Sequence, residues 1–541
     1  MKLMRMKNYV AVTILLAPSL FSQKLIAPAD VKARVDHVFA RYNSNTSPGC
    51  VVGTSLNGAV SLQAAYGMAD LEHNVPLTPQ TVFEPGSVTK QFTAAAVLLL
   101  VQQGKISLDD PVRKYFPELP DYGTPVLTIR HLLHHTSGLR DWGEVAAING
   151  WPRTTRANGQ NNVLEIASHQ LSLNYAPGTE YSYTNTGFNL AAMLVNRVSG
   201  KTIAEFTKEN IFQPLDMAGT GWRDDYRRIV PNRAIAYSNA GGVLRTDMPF
   251  EDAHGNGGLL TTVGDLLRWN RNFKEMKVGG KALMDAMTEQ GVLTSGRKIA
   301  YARGLMILQW RGVPEVSHSG TTAGYSAWLG RYPQQELSIA VLCNVTTNGT
   351  ALGHEVADIY LEKIITHEPA RATSPAATLQ AKAGLYRSVR DHHAQAIGFL
   401  NGALQMNGHA LMQFTATTFG ESETSPRLDF TADALRIVTL EDPNNLFERV
   451  AAASPTPDEL AAFAGEYDSL EAEVTYRAVV ENGKLVLHRR TDPVIVLTPT
   501  YKDGFRSSLG SVRFLRDPNG RVTQMSLGLA RVWDLRFRKL Q

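Results

Sequence analysis

Phe83-Glu84-Pro85-Gly86-Ser87-Val88-Thr89-Lys90-Gln91-Phe92 runs directly into an apolar segment that stops at Gly104. The apolar residues recur at helical spacing and glycine is a common helix stop, so a helix is expected over Gln91 to Gln103. Pro85 and Gly86 end the preceding segment, which puts Ser87 in the first turn, where unsatisfied backbone N–H groups favour developing negative charge. Lys90, three residues on, shares a helical face with Ser87. A serine hydroxyl becomes a nucleophile when a base takes its proton, and a lysine desolvated in a pocket is able to do so. Alone, Ser-x-x-Lys reads more simply as a capping serine beside a solvated lysine.

Two further segments change that balance. Tyr183-Thr184-Asn185, at the end of a loop that starts near Tyr175, carries a tyrosine and an asparagine two positions apart; Tyr181 has no such companion. Glu315-Val316-Ser317-His318-Ser319-Gly320-Thr321 reads as a strand entering a Gly-rich turn. Tyr325 and Trp328, just beyond it, are candidates for the pocket wall or for the core.

Outward from these segments, Cys50–Leu56, followed by the Asn57-Gly58 turn, and Leu337–Cys343 read as strands, with helices between them. That pattern predicts an α+β domain over 28–367 whose sheet is closed by distant parts of the chain. Pro369 to Thr378 reads as a linker. After it come short alternating runs separated by Asn-Gly pairs, among them a hairpin formed by Tyr476–Val480 and Lys484–His488. Ser454 to Pro457 divides this region into modules at 379–453 and 458–541. Leu379, Gly384, Tyr386 and Ser388 recur as Leu460, Gly465, Tyr467 and Ser469, so two small antiparallel barrels are favoured over a single larger one. The basic end, Arg531 to Lys539, alternates as a solvated strand face does, and is not read as an anion site.

The 541 residues leave room for about three domains, and 43% hydrophobic with 19% charged residues excludes a disordered chain. The formal charge of +4 falls to +1 once Lys2, Arg5 and Lys7 are set aside, so nucleic-acid and polybasic membrane partners are not expected. Those cations precede an apolar run, Tyr9 to Phe21, too short to span a bilayer as a helix. Residues 1–22 therefore read as a secretory signal, the protein as periplasmic or secreted, and the mature chain as free of a membrane span. His131, His134 and His135 have helical metal-ligand spacing, but three imidazoles need a fourth ligand or water in an open cavity, and no metal is expected.

With its three motifs in this order, the chain resembles the class C β-lactamase-like serine hydrolases of the β-lactamase and penicillin-binding protein superfamily, over roughly residues 30 to 365. Leu127 to Leu139, Pro214 to Met217 and Gly255 to Thr262 belong to the same likeness. The resemblance implies a β-lactamase/transpeptidase-like domain, an antiparallel sheet flanked by helices, followed by lipocalin-like barrels such as those of D-aminopeptidase relatives. It implies that Ser87 is acylated, that Lys90 activates it, that Tyr183 shuttles protons and that Asn185 binds the substrate amide. The N–H groups of Ser87 and Thr321 would form the oxyanion hole.

The family's usual third motif, Lys-Thr-Gly, reads His318-Ser319-Gly320 here, as in its esterase and D-aminopeptidase branches. A histidine is mostly neutral at pH 7, so carboxylate recognition at that place is weakened. The expected activity is that of a D-amino-acid-specific peptidase or amidase, acting without cofactor on a small-molecule or peptide substrate. The alternatives are a carboxylesterase or weak β-lactamase, and a penicillin-binding sensor that acylates without turnover. The likeness also implies that the first strand lies beside the last, bringing Cys50 near Cys343, yet each is expected as a free, small core residue. The linker predicts that a truncation lacking 379–541 leaves a soluble catalytic domain.

Overall fold

Leu337, Ile339, Val341 and Cys343 turn to one face of their strand and Ala340 and Leu342 to the other, and both faces are covered. This is why the sequence reads as a continuous apolar run: a strand buried on both sides has no solvated face to alternate with. The computed structural model describes residues 27–540 apart from 154, 367–370, 423–424, 432–433, 439–444 and 490–493. The proposed signal segment and the start of the linker lie outside the described residues.

The central sheet has six antiparallel strands in the order Ala59–Tyr66, Cys50–Leu56, Leu337–Cys343, Tyr325–Tyr332, Val313–Thr322 and Met306–Trp310. The first strand thus pairs with the last, as expected. Helices Val31–Val38 and Gly349–Leu361 cover one face. Helix Val263–Glu275 and a thick helical layer containing Lys90–Gln102 and Asn185–Ser199 cover the other.

Cys50 and Cys343 are register partners on adjacent strands, both fully buried, and they form a disulfide. The free-cysteine expectation is overturned: antiparallel pairing sets the two residues directly opposite, a relation that the sequence does not specify without the register.

The predicted helix runs from Lys90 to Gln102, one residue earlier than expected, with ten of its 13 residues buried. Gly104 takes φ +67°, a left-handed conformation that glycine adopts without strain. Ser87 sits in the short 3₁₀ turn Gly86–Thr89 that feeds this helix.

The C-terminal region forms two nine-stranded antiparallel sheets of identical strand order, each nearly closed into a barrel. In the first, Gly384–Ser388 pairs with both Ala394–Leu400 and Asn445–Val450; in the second, Gly465–Ser469 pairs with both Val474–Glu481 and Val532–Lys539. The 81-residue repeat extends to detail. Helices Ala376–Gln380 and Pro457–Ala461 occupy equivalent places, and Tyr386 and Tyr467 each donate their hydroxyl to the carbonyl four residues back, at 2.7 Å. The predicted hairpin turns at Asn482 and Gly483, both with positive φ, which matches the right-handed twist of its strands.

The second barrel is not an independent appendage. Val145 and Ile148, from the catalytic-domain helix Trp142–Asn149, belong to its apolar core, and Tyr476 and Arg489 hydrogen-bond the Ile148 carbonyl from within it. A truncation lacking 379–541, expected to stay soluble, would have to expose this shared core.

Candidate active site

Two glycines let the Ser87 turn touch the sheet. A Cβ on Gly86, whose φ is +52°, would lie 2.6 Å from the Thr321 nitrogen, and one on Gly320 would lie 2.0 Å from the Pro85 carbonyl oxygen. Any side chain at either place would force the two backbones apart. Their contact brings the backbone nitrogens of Ser87 and Thr321 to the same rim of a cavity of about 230 Å³.

Lys90 is fully buried beside that rim. Its ammonium nitrogen donates to Ser87 Oγ at 3.0 Å, to Asn185 Oδ1 at 3.0 Å and to the Asn256 carbonyl at 2.8 Å. Two fixed oxygens, Asn185 Oδ1 and the Asn256 carbonyl, aim the amine at the serine, and the faces of Tyr183 and Phe188 flank it with centroids at 4.8 and 5.6 Å.

Tyr183 is held from behind by His135, whose ring lies 4.1 Å away between centroids. His135 Nδ1 accepts the Thr184 N–H at 3.1 Å, and burial, reinforced by the Lys90 charge, depresses its basicity far below that of a free imidazole. His318 is treated similarly: burial first, then Lys90, lowers its pKa to about 3, so the ring is neutral. The Ser319 carbonyl, 2.6 Å from Nδ1, only accepts, which assigns the ring proton to Nδ1 and leaves Nε2 to accept from the Tyr301 hydroxyl at 3.1 Å.

Asn185 opens helix Asn185–Ser199, and its backbone N–H donates to Asp141 Oδ2 at 2.7 Å. Asp141 also caps helix Trp142–Asn149 through the Gly143 N–H, and its carboxylate lies 3.6 Å from the Arg531 guanidinium. Arg531 comes from the two-residue turn between strands Val522–Leu529 and Val532–Lys539 of the second barrel and lines the same cavity as Ser87. Glu84, paired with Arg223 at 2.9 Å, and Glu251, paired with Arg153, also line it.

The structure thus brings together Ser87, Lys90, Tyr183, Asn185, His318, Gly320 and Thr321, all at one cavity save Lys90, which reaches it through Ser87 and Asn185. Of the two alternatives for Tyr325 and Trp328, the core holds for both: the Tyr325 hydroxyl bonds the Ala234 carbonyl, and Trp328 packs against His354 on the far side of the sheet. One expectation needs correction. Arg531 is no solvated strand residue, because the barrel presses its turn into the cavity.

The three clustered histidines have separate places: His131 bonds Thr128 in a helix cap, His134 faces the Glu289 carbonyl and His135 backs Tyr183. Sequence reasoning missed Asp141 and Arg531; Asp141 sits two residues past the Leu127–Leu139 signature, while nothing local marks Arg531.

A Ser-Lys pair before a buried helix, set against an antiparallel sheet, defines a fold with known members. The chain belongs to the Beta-lactamase family, whose profile matches residues 32–360. It is 25% identical over 540 residues to a D-aminopeptidase of Gluconobacter oxydans (strain 621H), covering 95% of this chain and 99% of the relative. A D-aminopeptidase of Brucella anthropi is 23% identical, over 91% of this chain and 96% of its own length. Among solved structures, the octameric penicillin-binding protein homologue from Pyrococcus abyssi superposes with a TM-score of 0.55 at 20% identity, covering 86% of this chain and 99% of its own. Among the described residues no helix is long and apolar enough to cross a membrane.

Proposed function

We propose that the protein is an exported serine hydrolase that cleaves peptides or amides carrying an N-terminal D-residue, through an acyl-enzyme on Ser87. The observation that carries the reading is the buried Lys90 amine 3.0 Å from Ser87 Oγ at the rim of a small cavity. The near full-length likeness to two D-aminopeptidases supports the substrate class.

In this reading the reacting form of Lys90 is the neutral amine, which keeps its N–H bonds to Asn185 Oδ1 and the Asn256 carbonyl and turns its lone pair to Ser87; Ser87 Oγ attacks the acyl carbonyl while its proton passes to the Lys90–Tyr183 pair. The Ser87 and Thr321 N–H groups receive the charge that develops on the carbonyl oxygen. The C–N bond breaks as the proton is handed to the leaving nitrogen. Water then attacks the ester, loses its proton to the same pair and restores the Ser87 hydroxyl. Asn185 Oδ1 is engaged by Lys90, so its Nδ2 is the group left to donate to the substrate. His318, neutral and tied to Tyr301 and Ser319, shapes the wall without adding charge.

Incubation with a D-alanine anilide, a nitrophenyl ester and a chromogenic cephalosporin tests this. Sustained turnover of the anilide, with the L-isomer inert, is the expected result. Turnover of the ester alone would move the substrate class to carboxylic esters, and a stoichiometric burst on the cephalosporin with no further product would make the protein a sensor. Export is tested by N-terminal sequencing of the mature chain, expected to begin just after residue 22.

A further inference from the structure

The charged groups that line the cavity are almost all paired. Glu84 accepts two hydrogen bonds from Arg223, and Glu251 is gripped by Arg153 through both its oxygens. Lys90 has three oxygen partners. Arg531 differs. Among the described residues its guanidinium makes no hydrogen bond; it lies over the Tyr183 ring, 4.8 Å from the centroid, with the Asp141 carboxylate at 3.6 Å. That carboxylate already accepts the N–H groups of Asn185 and Gly143.

The placement of Arg531 is built. Its backbone N–H donates to Glu144 Oε2 at 2.8 Å, and its carbonyl accepts from Asn174 Nδ2 at 2.9 Å, so the turn is clamped to the catalytic domain on both sides. The side chain is 36% exposed and lines the cavity with Ser87 and Tyr183. A partly desolvated guanidinium with free donors is suited to a planar anion, which it binds through two parallel hydrogen bonds.

We propose that Arg531 binds the free α-carboxylate of the leaving residue, so that the preferred substrate is a short peptide with an N-terminal D-residue and an unblocked C-terminus. The proposal rests on the D-specific peptidase reading, in which Tyr183 delivers a proton to the leaving nitrogen. One carbon separates that nitrogen from the carboxylate in an α-amino acid, so an anion there falls beside the Tyr183 ring, where Arg531 stands. The third-motif position holds a neutral histidine, and the cation for the substrate comes instead from another module of the chain.

The test uses a matched pair with one scissile bond, D-alanyl-glycine and D-alanyl-glycinamide, on the full chain. Wild type is expected to favour the free acid in kcat/KM by about 10- to 100-fold, the range of a charge-assisted hydrogen bond. Arg531→Gln should bring the acid-to-amide ratio close to one, and Arg531→Lys should restore part of it. A wild-type ratio near one, or a ratio unmoved in Arg531→Gln, overturns the role of Arg531 while leaving the peptidase reading intact. Failure of wild type on both dipeptides and on the D-alanine anilide overturns the reading itself and this proposal with it. Equal loss of both substrates in Arg531→Gln, with the ratio preserved, would make Arg531 a positioning residue for Tyr183 and also overturns the proposal.

Discussion

The Tyr476 hydroxyl, inside the second barrel, donates to the Ile148 carbonyl at 2.6 Å. Ile148 lies one residue before the end of the helix whose first residues follow Asp141, and Asp141 in turn holds the N–H of Asn185. Barrel and cavity are therefore coupled through the length of one short helix. Deletion of 458–541 would expose Val145 and Ile148 and unclamp Asp141, so the truncated chain is expected to aggregate or to lose Ser87 labelling by serine reagents. Tyr476→Phe is milder, since Arg489 still bonds the same carbonyl at 2.7 Å. It should cost about 1 kcal/mol in denaturant unfolding. A soluble, fully labelled truncation would show that the shared core is dispensable.

Ser87→Ala should abolish turnover and labelling with the melting temperature little changed, because only an oxygen at a cavity rim is removed. Lys90→Ala and Tyr183→Phe should each lower kcat/KM by several orders of magnitude. Because the two side chains are proposed to act in one relay, the double variant should be no slower than about the worse single. Losses that multiply in full would mean that Lys90 and Tyr183 act independently.

Three buried histidines, His135 and His318 beside Tyr183 and His134 at the Glu289 carbonyl, contribute to acid stability. His134 and His318 have pKa values lowered to about 3, and His135 is also held well below an ordinary imidazole, in each case chiefly by burial. An unfolded chain protonates all three below about 6.5, whereas the folded chain does not. Their contribution is thus fully present above pH 6.5 and is lost as pH falls toward 3, by up to roughly 1.4 kcal/mol per pH unit for each. Glu144, raised to about 7 by burial and the nearby Asp141, acts oppositely between 4.5 and 7, and the raised carboxyls of Asp265 and Glu471 act in the same sense as Glu144. The melting temperature should therefore drop between pH 7 and pH 5, and His318→Gln should make the drop shallower. A melting temperature that rises on acidification would sink this account.

How far the chain was readable depended on the range of each interaction. The Ser87–Lys90 helix, the strands near the two ends of the domain's chain and the barrel repeat rest on local periodicity and on glycine stops, and they appear as expected. The Tyr183 and His318 segments were legible through their order and neighbours. Arg531 was not: its place at the cavity arises from a contact between modules about 390 residues apart, and a basic alternating strand is the ordinary signature of a solvated face. Tyr325 and Trp328 stayed open between wall and core for a related reason. Residues that follow a site motif on a central strand turn to its two buried faces, and only the sheet's coverings show that neither face opens on the cavity.

The Cys50–Cys343 bridge closes a separation of 293 residues and ties the first strand of the catalytic sheet to the last. Cross-linking a long loop restricts the unfolded chain strongly, and removal of such a bridge commonly costs about 2–4 kcal/mol. Both sulfurs belong to the core beneath helices Val31–Val38 and Gly349–Leu361, on the face of the sheet away from Ser87, so the effect should fall on stability and not on the chemistry. Protein recovered after export should show no titratable thiol when denatured without reductant. The same chain made without residues 1–22 in a reducing cytoplasm should show two, with a lower denaturation midpoint and unaltered labelling of Ser87. Cys50→Ala with Cys343→Ala should match the reduced protein in midpoint to within the small cost of the lost sulfurs. Two free thiols in the exported protein would show that the strands pair without the bond, and the stability difference would then vanish.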